Sequence, residues 1–159
     1  MLMPRLPPVD RLDLDDLVHR YAVLVDQRAF TAVGELFTPD AELVLPDPPT
    51  SLRPTVEVRG RDAVIGALGR LTGFAATFHA VVGRVADADP GDPDRATGRV
   101  ACEAHHVSVD EDGRARDLTW YLHYDDAYAR IDDRWLIARR ALSVDVIATG
   151  PVRKVRADG

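Results

Sequence analysis

The pattern of hydrophobic and polar positions divides the chain into a helical first half and a strand-rich second half. From about residue 13, apolar side chains recur at the i, i+3, i+4, i+7 spacing of one helical face. A second helix is expected over residues 29–37 and a third over residues 60–70. Between them, "FTPDAELVLPDPP" predicts a turn and a short strand that ends at prolines. The first helical face comprises Leu14, Leu17, Val18, Tyr21, Leu24, Val25 and Arg28.

From residue 74 onward the apolar residues alternate with polar ones, which is typical of half-buried strands. The four strand-like stretches are "TFHAVVGRVADAD", "RATGRVACEAHHVSV", "ARDLTWYLHYDDAYARI" and "RWLIARRALSVDVIA". The turn sequences "PGDPD", "DEDG" and "DDR" separate them. Helices followed by long hairpins predict an α+β fold, with the helices on one face of a curled antiparallel sheet.

Two adjacent histidines in "VACEAHHVSV" must point to opposite faces of their strand. His106 shares a face with the small apolar residues Val100, Cys102 and Ala104, so we expect it to point inward and His105 outward. His79 shares its strand face with Thr77, Val81 and Val85, and is expected inward as well. Two inward histidines on neighbouring strands favour a pocket. The alternative is that each is a core histidine hydrogen-bonded to a neighbour.

Asp26 lies at the end of the first helix, off the centre of its buried face, and helical geometry favours its capping the second helix. Tyr124, Asp126 and Tyr128 alternate along one strand face with Trp120 and Leu122. A carboxylate between two tyrosines on an inward face indicates a buried hydrogen-bond network or the wall of a site.

The 159 residues fit one domain, and a net charge of -6 argues against nucleic acid or an anionic membrane as a partner. The single cysteine, Cys102, excludes an internal disulfide. We expect no metal site, because the sequence contains neither HxH nor HExxH spacing. No apolar run is long enough to span a membrane, and cytoplasm is the expected location.

In order along the chain, "RYAVLVDQRAFTAVGELFTPDAEL", "GRDAVIGAL", "TFHAVVGRV", "ATGRVACEAHH" and "YDDAYARIDDRWLIARRAL" resemble SnoaL-like proteins of the NTF2-like superfamily. The resemblance is greatest to the scytalone dehydratase and bile-acid dehydratase branch. It implies an NTF2-like cone, in which a curved antiparallel sheet and N-terminal helices enclose an apolar pocket. It also implies no cofactor and a homo-oligomer, either a dimer or a trimer. We therefore expect a flexible lead over residues 1–9, the domain over 10–148, and a polar tail over 149–159.

The resemblance implies roles for particular residues, and for Asp26 it outweighs the helical geometry. Asp26 and His79 match the proton-transferring pair of these dehydratases, His106 matches a second histidine, and Tyr21 matches an aromatic position of the bile-acid dehydratases. The two tyrosines with which scytalone dehydratase holds the leaving water are Val25 and Leu45 here, and its pocket asparagine is Tyr124. A substrate other than scytalone is therefore expected. The substrate-binding candidates are Leu45, Trp120, Tyr124, Asp126 and Tyr128.

Three functions remain open. The first is a cofactor-independent dehydratase, isomerase or cyclase acting on a hydrophobic polycyclic substrate, polyketide- or steroid-like. In it, His79 removes a proton, Tyr21 or Tyr124 stabilises the enolate, and His106 protonates the leaving hydroxyl. The second is a non-catalytic binding or assembly subunit similar to the β-subunit of ring-hydroxylating dioxygenases. The third, epoxide hydrolysis, needs an Asp–Arg–Asp arrangement. The sequence does not assemble one from inward residues, because Arg99 is on the charged face of its strand and Arg139 and Arg140 are expected beside packing residues.

Overall fold

The computed structural model of the protein describes residues 5–156. Three helices, six strands and one 3-10 helix make up this part of the chain. They confirm the α+β fold, with helices confined mainly to the first half. In chain order the elements are α1 (Pro8–Asp26), α2 (Phe30–Gly34), β1 (Phe37–Asp47), β2 (Ser51–Arg59), α3 (Arg61–Leu68), the 3-10 helix (Gly69–Gly73), β3 (Ala76–Ala88), β4 (Arg95–Val109), β5 (Ala115–Ile131) and β6 (Arg134–Val152).

The six strands form one curved sheet in the order β2-β1-β6-β5-β4-β3. Neighbouring strands are antiparallel except β1 and β6, which are parallel, so the sheet is mixed and not purely antiparallel. The predicted "DDR" turn joins β5 to β6, with Asp132 and Asp133 at φ 50° and 60°. Positive φ at both central residues matches the twist of a two-residue hairpin. α1 covers the inner face of the sheet, which gives the NTF2-like cone.

α1 begins at Pro8 and not near residue 13, because proline is well tolerated in the first turn of a helix. The buried Asp10 fixes this turn to the sheet by accepting hydrogen bonds from Arg130 (2.9 Å) and Trp135 (3.0 Å). The predicted flexible lead therefore overlaps an ordered helix, and residues 1–4 lie outside the described residues.

The other end of the chain is also more regular than expected. β6 pairs with β5 as far as Val152, so the first four residues of the predicted tail belong to the sheet. Residues 157–159 lie outside the described residues. The sequence pattern missed β2, because this strand contains Pro54 and most of its side chains are exposed. α2 is shorter than expected, since Phe37 already belongs to β1.

Two β-bulges change which residues face the interior. In β3 the register shifts between Val81 and Gly83, and Val85 is 65% exposed. The expectation that Val85 faces inward was wrong for this reason. Arg84 turns inward instead, and its side chain forms an ion pair with Asp15 of α1 at 2.6 Å.

The second bulge lies between Ala127 and Tyr128 of β5, where β6 contributes one extra residue to the pairing. It brings Arg140 directly opposite Asp126, and Arg140 is completely buried. The sequence did not place Arg140 at this inward position, because a regular hairpin would have paired it with the outward Asp125.

Within residues 5–156, no helix combines the length and apolar character that crossing a bilayer requires.

Candidate active site

A cavity of about 230 Å³ lies between α1, the α3 region and the inner face of the sheet. Four polar side chains line it, namely Tyr21, His79, His106 and Tyr124, and Arg70 lies at its exposed side. The remaining wall is mainly apolar, which is typical of a site for a small hydrophobic molecule. That part of the wall comprises Leu45, Pro46, Ala67, Leu68, Leu71, Phe74, Ala104, Leu118, Trp120, Leu122 and Leu142.

Asp26 and His79 form a hydrogen-bonded pair. Nδ1 of His79 lies 2.6 Å from Oδ1 of Asp26, and the backbone N–H of His79 donates to Oδ2 at 2.8 Å. Burial alone would raise the pKa of Asp26, but the hydrogen bonds from His79 and Thr77 outweigh burial and lower it. Asp26 is therefore ionised at neutral pH and can orient the imidazole.

The position of Asp26 follows from the end of α1. The helix stops at Asp26, and the chain then turns through Arg28 at φ 60°, so the carboxylate leaves the helical path and reaches β3. α2 begins after Ala29 without any side-chain cap. The interpretation of Asp26 as a helix cap was therefore wrong, and the pairing implied by the family resemblance is present.

His106 lies on β4 beside His79, with the two ring centroids 6.0 Å apart and the rings nearly perpendicular at 85°. It is 5% exposed and points inward, whereas His105 points outward, as strand alternation predicted. Its Nδ1 lies 3.1 Å from the carbonyl oxygen of Leu118. Burial, and secondarily the neighbouring His79, lower the pKa of His106 despite that carbonyl, so it is neutral at pH 7.

When a ring is in its neutral form, these partners determine which of its two nitrogens carries the proton. An ionised carboxylate and a carbonyl oxygen can only accept, so Nδ1 donates in both His79 and His106. Nε2 of each ring then carries a lone pair and no proton. Neither Nε2 has a hydrogen-bond partner among residues 5–156. The cavity wall thus holds two imidazoles, each with a free acceptor nitrogen.

Tyr21 and Tyr124 enclose a buried arginine. The guanidinium carbon of Arg140 lies 4.2 Å from the centroid of each ring. Burial raises the pKa of both phenols, although the charge of Arg140 partly opposes this, so both hydroxyls keep their protons at neutral pH. They can donate hydrogen bonds to a substrate oxygen.

Asp126 and Tyr128 lie behind this wall. Asp126 accepts two hydrogen bonds from Arg140, at 2.8 and 2.7 Å, and one from the hydroxyl of Tyr128 at 2.8 Å. Neither residue lines the cavity. They therefore do not form part of the cavity wall as expected, because the inward Arg140 engages the carboxylate in a buried network. Arg140 is the site neighbour that the sequence reasoning missed.

The structure thus brings together Tyr21, His79, His106 and Tyr124 around one cavity, with Asp26 behind His79. Leu45 and Trp120 also line the cavity, as expected. The arrangement is not an Asp–Arg–Asp site, because Arg140 pairs with Asp126 whereas Asp26 binds His79. Within the described part of the chain, no cluster of three His, Cys, Asp or Glu side chains is arranged to hold a metal ion.

The sequence matches the SnoaL-like domain family over residues 9–141. The chain belongs to this family. An uncharacterized relative from Mycobacterium tuberculosis, Rv2910c, is 30% identical over 132 residues, which is 82% of each chain. A proposed scytalone dehydratase from Novosphingobium aromaticivorans has a TM-score of 0.74 at 24% identity, covering 95% of this chain and 94% of that one. The hexachlorocyclohexane dehydrochlorinase LinA-type3 from Novosphingobium barchaimii has a TM-score of 0.69 at 14% identity, covering 92% of each. These two likenesses establish the fold.

A second Asp–His pair occurs on the outer face of the sheet of this SnoaL-like domain. Asp117 lies 2.5 Å from Nδ1 of His105 and accepts a hydrogen bond from Thr119 at 2.8 Å. Nε2 of His105 lies 3.5 Å from a carboxylate oxygen of Glu103. Both nitrogens of His105 thus face carboxylates outside the cavity. This outer pair therefore serves as a comparison for the inner pair, Asp26 and His79.

Proposed function

We propose that the protein is a cofactor-independent lyase of the dehydratase type, in which His79 is the general base. One observation carries the proposal: Nε2 of His79, at an apolar cavity, has no hydrogen-bond partner among residues 5–156, while an ionised Asp26 holds Nδ1. In this arrangement Asp26 stabilises the imidazolium that forms when Nε2 takes a proton. A positioned base of this kind contributes about 10²–10⁴-fold to a rate.

In the proposed reaction, Nε2 of His79 removes a proton from the carbon next to a ketone. The electron pair of that C–H bond forms the enolate, and a phenol of Tyr21 or Tyr124 donates a hydrogen bond to its oxygen. As the enolate collapses, a carbon–carbon double bond forms and the C–O bond to the β-hydroxyl breaks. The leaving oxygen takes the proton back from His79 and departs as water.

This scheme gives His106 a different role from the acid expected from the sequence. A histidine protonates a leaving group only from its charged form, and the lowered pKa of His106 makes that form scarce at neutral pH. We therefore assign Nε2 of His106 as a hydrogen-bond acceptor for the substrate hydroxyl. The 6.0 Å between the two rings allows one substrate to contact both.

The size of the cavity favours a smaller substrate than a steroid. At about 230 Å³ it exceeds the cavity of about 150 Å³ that accepts benzene. It is smaller than the range of about 300–1,000 Å³ typical of sites for drug-sized ligands. We therefore propose a hydrophobic β-hydroxyketone with one or two rings. The likeness in fold to a proposed scytalone dehydratase and to a dehydrochlorinase supports an elimination.

Hydrogen–deuterium exchange tests the proposal without knowledge of the natural product. One- and two-ring β-hydroxyketones would be incubated with the protein in D₂O, and deuterium incorporation next to the carbonyl followed by NMR. We expect exchange by the wild type and a loss of about 100-fold or more in His79→Gln. His105→Gln, which removes the outer imidazole, is the matched control and is expected to retain the wild-type rate.

Two results would contradict the proposal. One is an exchange rate in His79→Gln within a few-fold of the wild type. The other is the absence of catalysed exchange across the whole panel, which would favour a non-catalytic binding or assembly subunit.

A further inference from the structure

A chain of hydrogen bonds connects an arginine to the inner Asp–His pair. Nη1 of Arg28 donates to the hydroxyl oxygen of Thr77 at 2.7 Å, and this hydroxyl donates to Oδ1 of Asp26 at 2.9 Å. Nη2 of Arg28 also donates to the carbonyl oxygen of Phe74 at 3.3 Å. The chain therefore ends at the same carboxylate oxygen that receives Nδ1 of His79.

We propose that Thr77 and Arg28 are positioning residues for the Asp26–His79 pair, with Arg28 acting through Thr77. The inference rests on the proposed function for its catalytic meaning. Its physical content, an oriented and ionised Asp26, is measurable without turnover.

The hydroxyl of Thr77 is oriented by its two partners, Arg28 and Asp26. A hydroxyl has a single proton to donate, and its oxygen can accept at the same time. Because Arg28 occupies an acceptor position of this oxygen, the Thr77 proton is directed to Asp26. The carboxylate then has three donors: the hydroxyl of Thr77, the ring and the backbone N–H of His79. Three donors define its rotation and favour its ionised form.

The backbone conformation of Arg28 directs its side chain toward Thr77. Its φ of 60° lies in the left-handed region, which residues other than glycine rarely adopt and which is often retained at functional sites. This turn ends α1 and returns the Arg28 side chain toward β3. The side-chain bonds to Thr77 and to the carbonyl of Phe74 hold the residue there.

Comparison with the outer pair, Asp117 and His105, shows which contact is specific to the inner pair, Asp26 and His79. Thr119 donates to Asp117 as Thr77 donates to Asp26, and a histidine Nδ1 meets the carboxylate in both. No arginine hydrogen bond reaches Thr119 within residues 5–156. The arginine therefore accompanies the pair whose histidine lines the cavity.

A double-mutant cycle read by carbon-13 NMR of the Asp26 carboxyl group tests the proposal. Thr77→Val is expected to raise the pKa of Asp26, with an acid dissociation constant about tenfold smaller, and Thr77→Ser is expected to restore it. Arg28→Met is expected to raise this pKa in the wild-type background and to have no further effect alongside Thr77→Val. Thr119→Val is the matched control and leaves the pKa of Asp26 unchanged. Circular dichroism establishes that each variant is folded.

The proposal would be overturned by an unchanged Asp26 pKa in Thr77→Val. Equal shifts from Arg28→Met in both backgrounds would also overturn it, because Arg28 would then act without Thr77. These outcomes are independent of the deuterium-exchange test. If the cycle holds while His79→Gln retains full exchange, the proposed function fails and the positioning of Asp26 stands.

Discussion

Replacing Arg140 by leucine is expected to destabilise the protein by about 3–5 kcal/mol, because it leaves a buried carboxylate without its counter-ion. The side chains of Arg140 and Asp126 are both 0% exposed. After the substitution, Asp126 keeps only the hydrogen bond from Tyr128. Water cannot replace the lost partner without opening the core between α1 and the sheet.

The hydrogen bonds of Arg140 predict a similar loss in the free energy of unfolding. It makes two charge-assisted hydrogen bonds, at 2.8 and 2.7 Å, and such bonds contribute about 1.5–3 kcal/mol each. A domain of this kind is stable by about 5–15 kcal/mol, so the substitution removes a large share of the total. In the double variant Asp126→Leu plus Arg140→Leu neither charge of this pair is left buried, and we expect it to recover most of the loss.

Urea unfolding followed by circular dichroism measures these differences in the free energy of unfolding. The matched control is Arg99→Leu, since Arg99 forms an ion pair with Asp125 at 3.1 Å on the exposed face of the same sheet. That change is expected to cost less than about 1 kcal/mol. A loss below about 1 kcal/mol in Arg140→Leu would contradict this prediction. A double variant whose loss in the free energy of unfolding equals the sum of the two single losses would contradict it as well.

Three further outcomes follow from the site. Because the pKa of Asp26 is lowered on folding, its ionised form stabilises the fold above the ordinary carboxyl pKa. The advantage of the wild type over Asp26→Asn in urea unfolding is therefore expected to shrink as the pH falls below about 4, and a pH-independent difference would contradict this. The pKa of His106 is lowered on folding, so the wild type is expected to lose stability relative to His106→Gln as the pH falls below about 6.5. Parallel curves of the free energy of unfolding against pH for the two proteins would contradict this. Burial raises the pKa of the Cys102 thiol to about 11. Iodoacetamide at pH 8 is therefore expected to alkylate this thiol slowly until urea unfolds the chain, and mass spectrometry measures the extent of labelling. Rapid labelling of the native protein would count against that burial.

The sequence predicted the inward residues wherever a strand is regular. From Val100 to His106 the β4 pairing has no bulge toward β5, so alternation placed His106 correctly. In β3 and β6 a single extra residue reverses the face of the residues that follow it, as far as the next irregularity in the pairing. Val85 was misplaced and Arg140 was not recognised as an inward residue for that reason, since residue pattern alone does not show where a bulge occurs.

Side-chain partners were harder to predict than side-chain direction. Asp126 and Tyr128 do face inward, but whether they line a cavity or form a packed network depends on the inward Arg140. The direction of the Asp26 side chain was also hard to predict, because a helical wheel gives side-chain directions only as far as the helix continues. α1 ends at Asp26, and the left-handed Arg28 sends the chain away from the helical path.

The position of the proton on the neutral His79 ring decides whether this histidine can act as a base toward the cavity. Nitrogen-15 NMR of the histidine rings, recorded at a pH where the His79 ring is neutral, distinguishes a protonated ring nitrogen from one with a lone pair. We expect Nδ1 of His79 to be protonated and Nε2 to be free, with the two forms mixing in Asp26→Asn. A proton resident on Nε2 in the wild type would contradict the account, since His79 would then have no base to offer the cavity.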